Sequence, residues 1–149
     1  MHRSLKLRVK RSGVIKLQVF RDLPDGNLFI AESRKHIPFD IKRVYFINNL
    51  ANSKAIRGRH AHKRLEQVIF CVSGSFVLHL DDGLTKQRIK LNDASCGIRL
   101  GSCLWHTMGS FSYDCVIVVF ASALYDESDY IRDYDSFLKL AMPQLKPCI

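Results

Sequence analysis

"RGRHAHKRLEQVIFCVSGS" (residues 57–75) sets two histidines, His60 and His62, one residue apart and just before an apolar run that ends at a glycine-containing turn signal. Side chains two apart on a β-strand point to the same face, so the two imidazoles are expected to project together. Beyond the turn, apolar residues alternate with others as far as Leu80. This period of two predicts consecutive half-buried strands.

The same pattern of short apolar runs extends over residues 14–120. Turn signals separate the runs: "LPDGN" (23–27), "VSGS" (72–75), "LDDG" (80–83), "LND" (91–93) and "LGS" (100–102). The wholly apolar run 116–121 is expected to be a central strand. The pattern predicts a single all-β domain of jelly-roll type over residues 1–149.

Helical spacing occurs only near the end of the sequence. The apolar residues at this spacing are Ile131, Tyr134, Phe137, Leu138 and Ala141. We expect one short C-terminal helix that begins after Ser128 and Asp129 as caps and ends before Pro143. The acidic residues of 125–135 are interpreted as a solvated helix start, because carboxylates interact favourably with a helix N-terminus.

Size and charge restrict the class of protein. With 149 residues, 47% of them hydrophobic and 25% charged, the chain is long enough for one domain with an ordinary core. A net charge of +9 favours an anionic ligand without choosing among nucleic acid, lipid headgroup and nucleotide phosphate. We expect residues 1–12 to form a frayed, basic N-terminus, with a nucleic-acid arm as the alternative.

The cysteines and the apolar runs indicate in which cellular compartment the protein is found. Five cysteines form an odd number without a CxxC pair, which indicates reduced thiols. The N-terminus lacks the apolar core of a signal peptide, and no apolar run reaches 18 residues. These observations predict a soluble, cytoplasmic protein that does not enter a membrane.

The histidine pair admits three interpretations. With Glu66 and His106 it would supply enough ligands for a divalent metal ion, and it would equally suit hydrogen-bonded core packing. A metal site has no need of surrounding cations, yet four lie within this stretch: Arg57, Arg59, Lys63 and Arg64. They favour the third interpretation, an anionic substrate presented to the imidazoles.

Longer motifs carry a resemblance to a known family. The order HxH, Gln67, Gly74 resembles the first motif of the cupin superfamily, with glutamine where metal-binding cupins carry glutamate. Residues 26–138 resemble the cupin sugar 3,4-ketoisomerases that act on dTDP-4-keto-6-deoxy-glucose. The stretches concerned are "IPFDIKRVYFI" (37–47), "RGRHAHKRLEQVIFCVSGS" (57–75), "LDDG" (80–83), "LWHTM" (104–108), "FSYDCVIVVFAS" (111–122) and "YDESDYIRDYDSFL" (125–138).

The resemblance implies a cupin jelly-roll barrel (a double-stranded β-helix), a homodimer, and an isomerase that uses neither a metal nor another cofactor. Such enzymes move the ketone from C4 to C3 through an enediol, on the route to dTDP-3-amino-3,6-dideoxy sugars. Two loops depart from the family pattern: residues 48–56 lack the usual proline and glycine, and residues 97–106 lack the usual proline.

The reaction needs a base near neutral pKa and a donor for the developing oxyanion. We assign the base to His60, with His60 or His62 returning a proton to C4. The resemblance suggests Tyr45 and Arg57 as polar partners, although Tyr45 also suits a buried strand tyrosine. The expected substrate-binding residues are Arg59 and Lys63 for the pyrophosphate, Gln67 for the sugar, Trp105 for stacking or core packing, and His106 in the cavity wall.

Three other functions remain open from the sequence. A dTDP-sugar 3,5-epimerase has the same fold but uses a His–Asp dyad and lacks these motifs. A metal-dependent cupin would use His60, His62, Glu66 and His106. A binding module for a nucleotide sugar or nucleic acid agrees with the net charge alone, whereas the isomerase interpretation involves no nucleic acid.

Overall fold

The computed structural model describes residues 5–50 and 54–145, in which β-strands are the main regular secondary structure. A 3-10 turn (Glu127–Asp129) precedes the last strand, and one helix, α1 (Tyr134–Leu145), follows it. The strands are β1 (Ser12–Lys16), β2 (Gln18–Asp22), β3 (Gly26–Ile30), β4 (Arg43–Ile47), β5 (Arg57–His62), β6 (Gln67–Ser73), β7 (Phe76–Asp81), β8 (Lys86–Leu91), β9 (Cys96–Leu100), β10 (Trp105–Gly109), β11 (Val116–Ala121) and β12 (Tyr130–Ile131).

Two five-stranded antiparallel sheets and one hairpin contain these strands. The first sheet has the order β1-β9-β6-β11-β4, the second has β12-β5-β10-β7-β8, and β2 pairs with β3. Strand β7 pairs with β8, β6 with β9, β5 with β10 and β4 with β11, so successive pairs nest around one central hairpin. This nesting is the jelly-roll arrangement, and the predicted all-β fold with a short terminal helix is confirmed.

Alternation along the strands builds the core between the sheets. In β7 the side chains of Phe76, Leu78 and Leu80 are buried, whereas Val77 and His79 are only half-buried, as the sequence predicts. These residues join the buried side chains of β6, β9 and β11 in one apolar cluster. Strand β11 lies between β6 and β4, which confirms its predicted central position.

The N-terminal segment differs from the frayed terminus expected for residues 1–12. Residues 1–4 lie outside the described chain, but Val9 is buried, and Leu5 and Leu7 pack against the core. The backbone of residues 6–8 is held along β8 by Gln87, whose side chain accepts from Arg8 N and donates to Lys6 O. The alternation of leucine or valine with lysine or arginine in residues 5–10 explains this docking.

The C-terminal helix begins later than predicted. Ser128 and Asp129 belong to the 3-10 turn, and the backbone N of Ser136 donates to the side chain of Asp133, which is the N-terminal cap. The helix also continues through Pro143 to Leu145 instead of ending before the proline. No helix in the described part of the chain is long and apolar enough to span a membrane.

Gly97 provides a test of the packing within the first sheet. A Cβ atom added at Gly97 would lie 2.5 Å from the Phe70 ring, whereas one added at Gly13, on the adjacent strand, would lie 3.8 Å from the nearest atom. We expect Gly97→Ala to lower the free energy of unfolding by about 1–3 kcal/mol. Gly13→Ala is the control and should cause no loss. Equal urea midpoints for the two variants would contradict this packing.

Candidate active site

Three imidazole rings meet between the two sheets. The ring centroids of His60 and His62 on β5 are 4.9 Å apart, in edge-to-face geometry. His106 on β10 lies opposite His60 in the strand register, and their ring centroids are 4.6 Å apart. The predicted projection of the histidine pair to one side of the strand is therefore confirmed, with a third ring added from the neighbouring strand.

A local distortion of β5 makes this approach possible. The strand register shifts between His106 and Thr107, opposite Gly58 and Arg59, both of which have positive φ angles. A Cβ on Gly58 would lie 2.8 Å from the His106 carbonyl oxygen, so only glycine fits here. Because of the bulge, Arg57 faces the same cavity as His60 although the two are three residues apart.

The first of two adjacent cavities, the His60 cavity, has a volume of about 310 Å³. Tyr45, Arg57, His60 and His106 line it. The Tyr45 hydroxyl accepts a hydrogen bond of 2.8 Å from Nε2 of the buried Gln67. Burial raises the pKa of Tyr45 to about 12, so its phenol stays protonated and is available as a hydrogen-bond donor.

A second cavity, the His62 cavity, has a volume of about 280 Å³ and is lined by His62, Arg64 and Asp129. Arg43 and Tyr130 belong to the walls of both cavities. The two histidines of the pair therefore face neighbouring spaces that share one wall.

Asp129 orients His62. Its carboxylate is 6% exposed, and its Oδ2 lies 3.3 Å from His62 Nδ1. The backbone N–H groups of Arg64 and Leu65 donate to Asp129 at 3.0 and 3.1 Å and fix the carboxylate in place. A carboxylate at this distance favours the tautomer with the proton on Nδ1, and Nε2 of His62 is buried without a hydrogen-bond partner in the described chain.

Tyr130 closes the histidine cluster from the side of β12. Its ring centroid lies 4.9 Å from that of His60 and 4.4 Å from that of His62. The Arg132 guanidinium lies over the same ring at 4.4 Å and forms a two-pronged ion pair with Glu127. The segment from the 3-10 turn to β12 thus covers both imidazoles.

The surroundings keep the three imidazoles neutral. Burial is the main cause that lowers the pKa of His60, His62 and His106. Proximity of the rings adds to this effect: the His60 imidazole lowers the pKa of His62, and both lower that of His106. Near pH 7 each ring therefore has an unprotonated nitrogen, which is what a base requires.

The model of the family described as FdtA, WxcM-like, C-terminal matches residues 10–142. The chain belongs to this family. Over 114 residues, which are 76% of this chain and 81% of the relative, it is 50% identical to TDP-4-oxo-6-deoxy-alpha-D-glucose-3,4-oxoisomerase of Aneurinibacillus thermoaerophilus. The sequence resemblance to sugar 3,4-ketoisomerases is thereby confirmed.

Solved structures agree with this membership. The sugar 3,4-ketoisomerase QdtA from Thermoanaerobacterium thermosaccharolyticum, in complex with TDP, has a TM-score of 0.89 and 39% identity, covering 92% of this chain and 98% of QdtA. The RmlC epimerase of Mycobacterium tuberculosis has a TM-score of 0.69 and 18% identity, covering 84% of this chain and 70% of that one. The second match shows a shared fold only.

The FdtA/WxcM-like chain brings most of the predicted site residues together. Tyr45, Arg57, His60 and His106 line one cavity. His62 lines the adjoining cavity. Gln67 lies behind Tyr45 and reaches the His60 cavity through the tyrosine hydroxyl.

Three predicted binding residues lie elsewhere. Arg59 is exposed and belongs to neither cavity wall. Lys63 donates from Nζ to the Ser128 carbonyl oxygen at 2.7 Å and so anchors the 3-10 turn. Trp105 points to the helix side of β10, where its ring lies 5.5 Å from that of Phe137, so the core-packing alternative describes its position.

The ligand set of the metal-dependent alternative is not assembled. Glu66 pairs with Arg99 at 2.8 Å, which engages the carboxylate that the alternative requires. Within the described residues, no group of three or more His, Cys, Asp or Glu side chains is placed to hold a metal ion.

Three residues of the site escaped prediction: Arg43, Asp129 and Tyr130. The acidic stretch was expected to be a solvated helix start, and that prediction is wrong for Asp129, which is buried against His62. The signal available in the sequence was Asp129-Tyr130-Ile131, a polar–aromatic–apolar step that suits a short strand better than a first helical turn. Arg43 carried no distinguishing signal, because a cation at the start of a strand is common.

The neutral histidines make stability depend on pH. In the unfolded chain these imidazoles bind protons below about pH 6.5, whereas in the folded chain their pKa is lower. The free energy of unfolding should therefore fall as the pH drops from 6.5 to 5. His106→Asn should reduce this slope by up to about 1.4 kcal/mol per pH unit. Urea unfolding across the window measures it.

Thr107→Ser, a change on the same strand without a titrating group, is the control for altered packing. It should keep the wild-type slope. An unchanged slope in His106→Asn would show that His106 is not held neutral.

Proposed function

We propose that this chain is an isomerase that moves the ketone of dTDP-4-keto-6-deoxy-D-glucose from C4 to C3, for the synthesis of dTDP-3-amino-3,6-dideoxy sugars. The single observation that carries the proposal is the contact between His60 and His62 beside a cavity with a tyrosine and an arginine. The 3,4-oxoisomerase from Aneurinibacillus, half identical in sequence, supports the choice of substrate.

The first step removes the C3 proton, which is acidic because the adjacent C4 carbonyl takes up the charge as an enolate. The His60 ring lines the cavity, and burial lowers its pKa, so the ring is neutral near pH 7. We assign the unprotonated nitrogen of this ring as the base.

The second step delivers a proton to C4. The enediol carries its hydrogens on O3 and O4, and protonation at C4 with loss of the O3 proton leaves the ketone at C3. His60 can return the proton it removed, and the Nε2 atom of His62, oriented by Asp129, is the nearby alternative. Tyr45 and Arg57 orient the sugar and donate to its oxygens.

The electron balance of this reaction requires no cofactor. One carbon is oxidised while its neighbour is reduced, and only protons are exchanged with the protein. We therefore propose that neither a metal ion nor an organic cofactor takes part, with dTDP-linked sugar as the ligand that the basic chain attracts.

Replacement of the base tests this assignment. His60→Asn should lower kcat by at least about 10³-fold, because it removes the ring nitrogen that is assigned to accept the C3 proton. The affinity for dTDP, measured by calorimetry, should stay near the wild-type value. His79→Asn should retain full activity, because the His79 side chain lies on the face of β7 opposite to the core residues Leu78 and Leu80. Isomerisation by His60→Asn at the wild-type rate would reject the role of His60.

One observation favours a second candidate. The approach of Asp129 to His62 supplies the His–Asp pairing that is expected of a 3,5-epimerase. An epimerase would abstract protons at C3 and C5 and leave the ketone at C4, so the position of the ketone in the product distinguishes the two functions.

A cytoplasmic location belongs to the same proposal. Three buried cysteines of the described chain, Cys71, Cys96 and Cys115, are free thiols. Free thiols suit a reducing compartment.

We propose that two copies associate through the outer face of the first sheet. Val44 and Phe46 on the edge strand β4 are 54% and 69% exposed, and they lie beside Phe120 and Val118 in the strand register. The apolar surface continues from there into a groove that Phe29 helps to line. A contiguous apolar surface of this kind marks an interface.

The dimer is tested by light scattering after size exclusion. The wild-type chain should elute as a dimer and Phe46→Glu as a monomer, because a buried carboxylate at the interface has no partner. Tyr113→Glu changes an aromatic residue that is even more exposed and lies in a turn, and this variant should remain dimeric. A monomeric wild-type chain would overturn the proposal.

A further inference from the structure

Arg43 occupies the shared wall of the His60 and His62 cavities. It lies at the start of β4, two residues before Tyr45. Its Cζ atom lies 5.4 Å from the ring centroid of Tyr45 and 5.6 Å from that of Tyr125, so two aromatic rings restrict the plane of the guanidinium.

The guanidinium of Arg43 is not neutralised within the described chain. Its Nε atom is buried and has no hydrogen-bond partner there. By contrast, Arg64 lies within 3.3 and 3.4 Å of the carboxylates of Asp126 and Asp129. A guanidinium in a cavity wall without a carboxylate partner is costly, so the position of Arg43 indicates an anionic ligand that neutralises it.

The electrostatic effect of Arg43 reaches the groups that would perform catalysis. Its positive charge lowers the pKa of His62 and opposes the rise in the pKa of Tyr45. Both effects place the guanidinium close enough to influence a charge that develops between the two cavities.

The proposed reaction develops such a charge on two neighbouring oxygens. Loss of the C3 proton puts negative charge on O4, and before C4 is protonated the charge passes to O3. In the planar C3=C4 enediolate the two oxygens lie side by side. The two Nη groups of a guanidinium lie in one plane and can bind two adjacent oxygens with parallel hydrogen bonds.

We propose that Arg43 binds O3 and O4 of the enediolate through its two Nη groups and stabilises the charge as it moves from one oxygen to the other. This inference rests on the proposed ketoisomerase function and adds a catalytic residue to it. Arg57 is exposed at the cavity and remains available for the anionic part of the substrate.

Arg43→Lys keeps the charge and removes the pair of Nη groups, and Arg43→Gln keeps a donor and removes the charge. Each variant should lower kcat by about 10²–10³-fold, the usual loss for one oxyanion donor. The dTDP dissociation constant should change by less than about threefold, because dTDP lacks the hexose. Arg34→Lys, at an exposed arginine paired with Asp40 by two hydrogen bonds, is the matched control and should retain activity.

The variants and the wild-type enzyme are assayed together with dTDP-4-keto-6-deoxy-glucose, and circular dichroism confirms that each variant is folded. Wild-type kcat in both Arg43 variants would overturn the inference. So would weaker dTDP binding with unchanged kcat, which would make Arg43 a phosphate ligand. If the wild-type enzyme leaves the ketone at C4, it is the proposed function that fails. A variant whose circular dichroism shows that it is not folded is replaced by Arg43→Met, judged by the same two criteria.

Discussion

The contact of three imidazole rings inside the barrel is the constraint on which the site depends. A proton on His60, His62 or His106 would be buried away from water and would repel a proton on either neighbour. The cluster is consequently uncharged near neutral pH. An uncharged imidazole is able to accept a proton from carbon, so the packing that makes protonation costly also prepares the base.

Other parts of the fold serve this cluster. Gly58 and the adjoining bulge allow β5 to approach β10 closely enough for His60 and His106 to touch. The segment carrying Asp129 and Tyr130 covers the rings from the opposite side and fixes the orientation of His62. Because a neutral base leaves an anionic intermediate without a counter-charge, the site also needs a cation, and Arg43 in the shared wall meets that need.

The sequence predicts the sheets and the histidine pair because alternation alone shows which residues of a strand share a face. This holds whichever strand lies next to it. The sequence offers His106 as a further imidazole for the cavity wall, whereas its register opposite His60 depends on strand pairing. Asp129 was wrongly predicted to be a helix cap. An acidic run before an apolar helical pattern has the same sequence signature whether it is exposed to solvent or packed against a strand. The long-range contacts of Arg43 and Trp105 leave no local signal.

The most direct test of the proton transfer is incubation of the wild-type protein with dTDP-4-keto-6-deoxy-glucose in D2O, followed by NMR of the sugar. The account predicts a product with its ketone at C3 and with carbon-bound deuterium at no position other than C4, where it appears to the extent that the transferred proton exchanges with solvent. A ketone that stays at C4, with deuterium at C3 and C5, would contradict it and identify an epimerase instead.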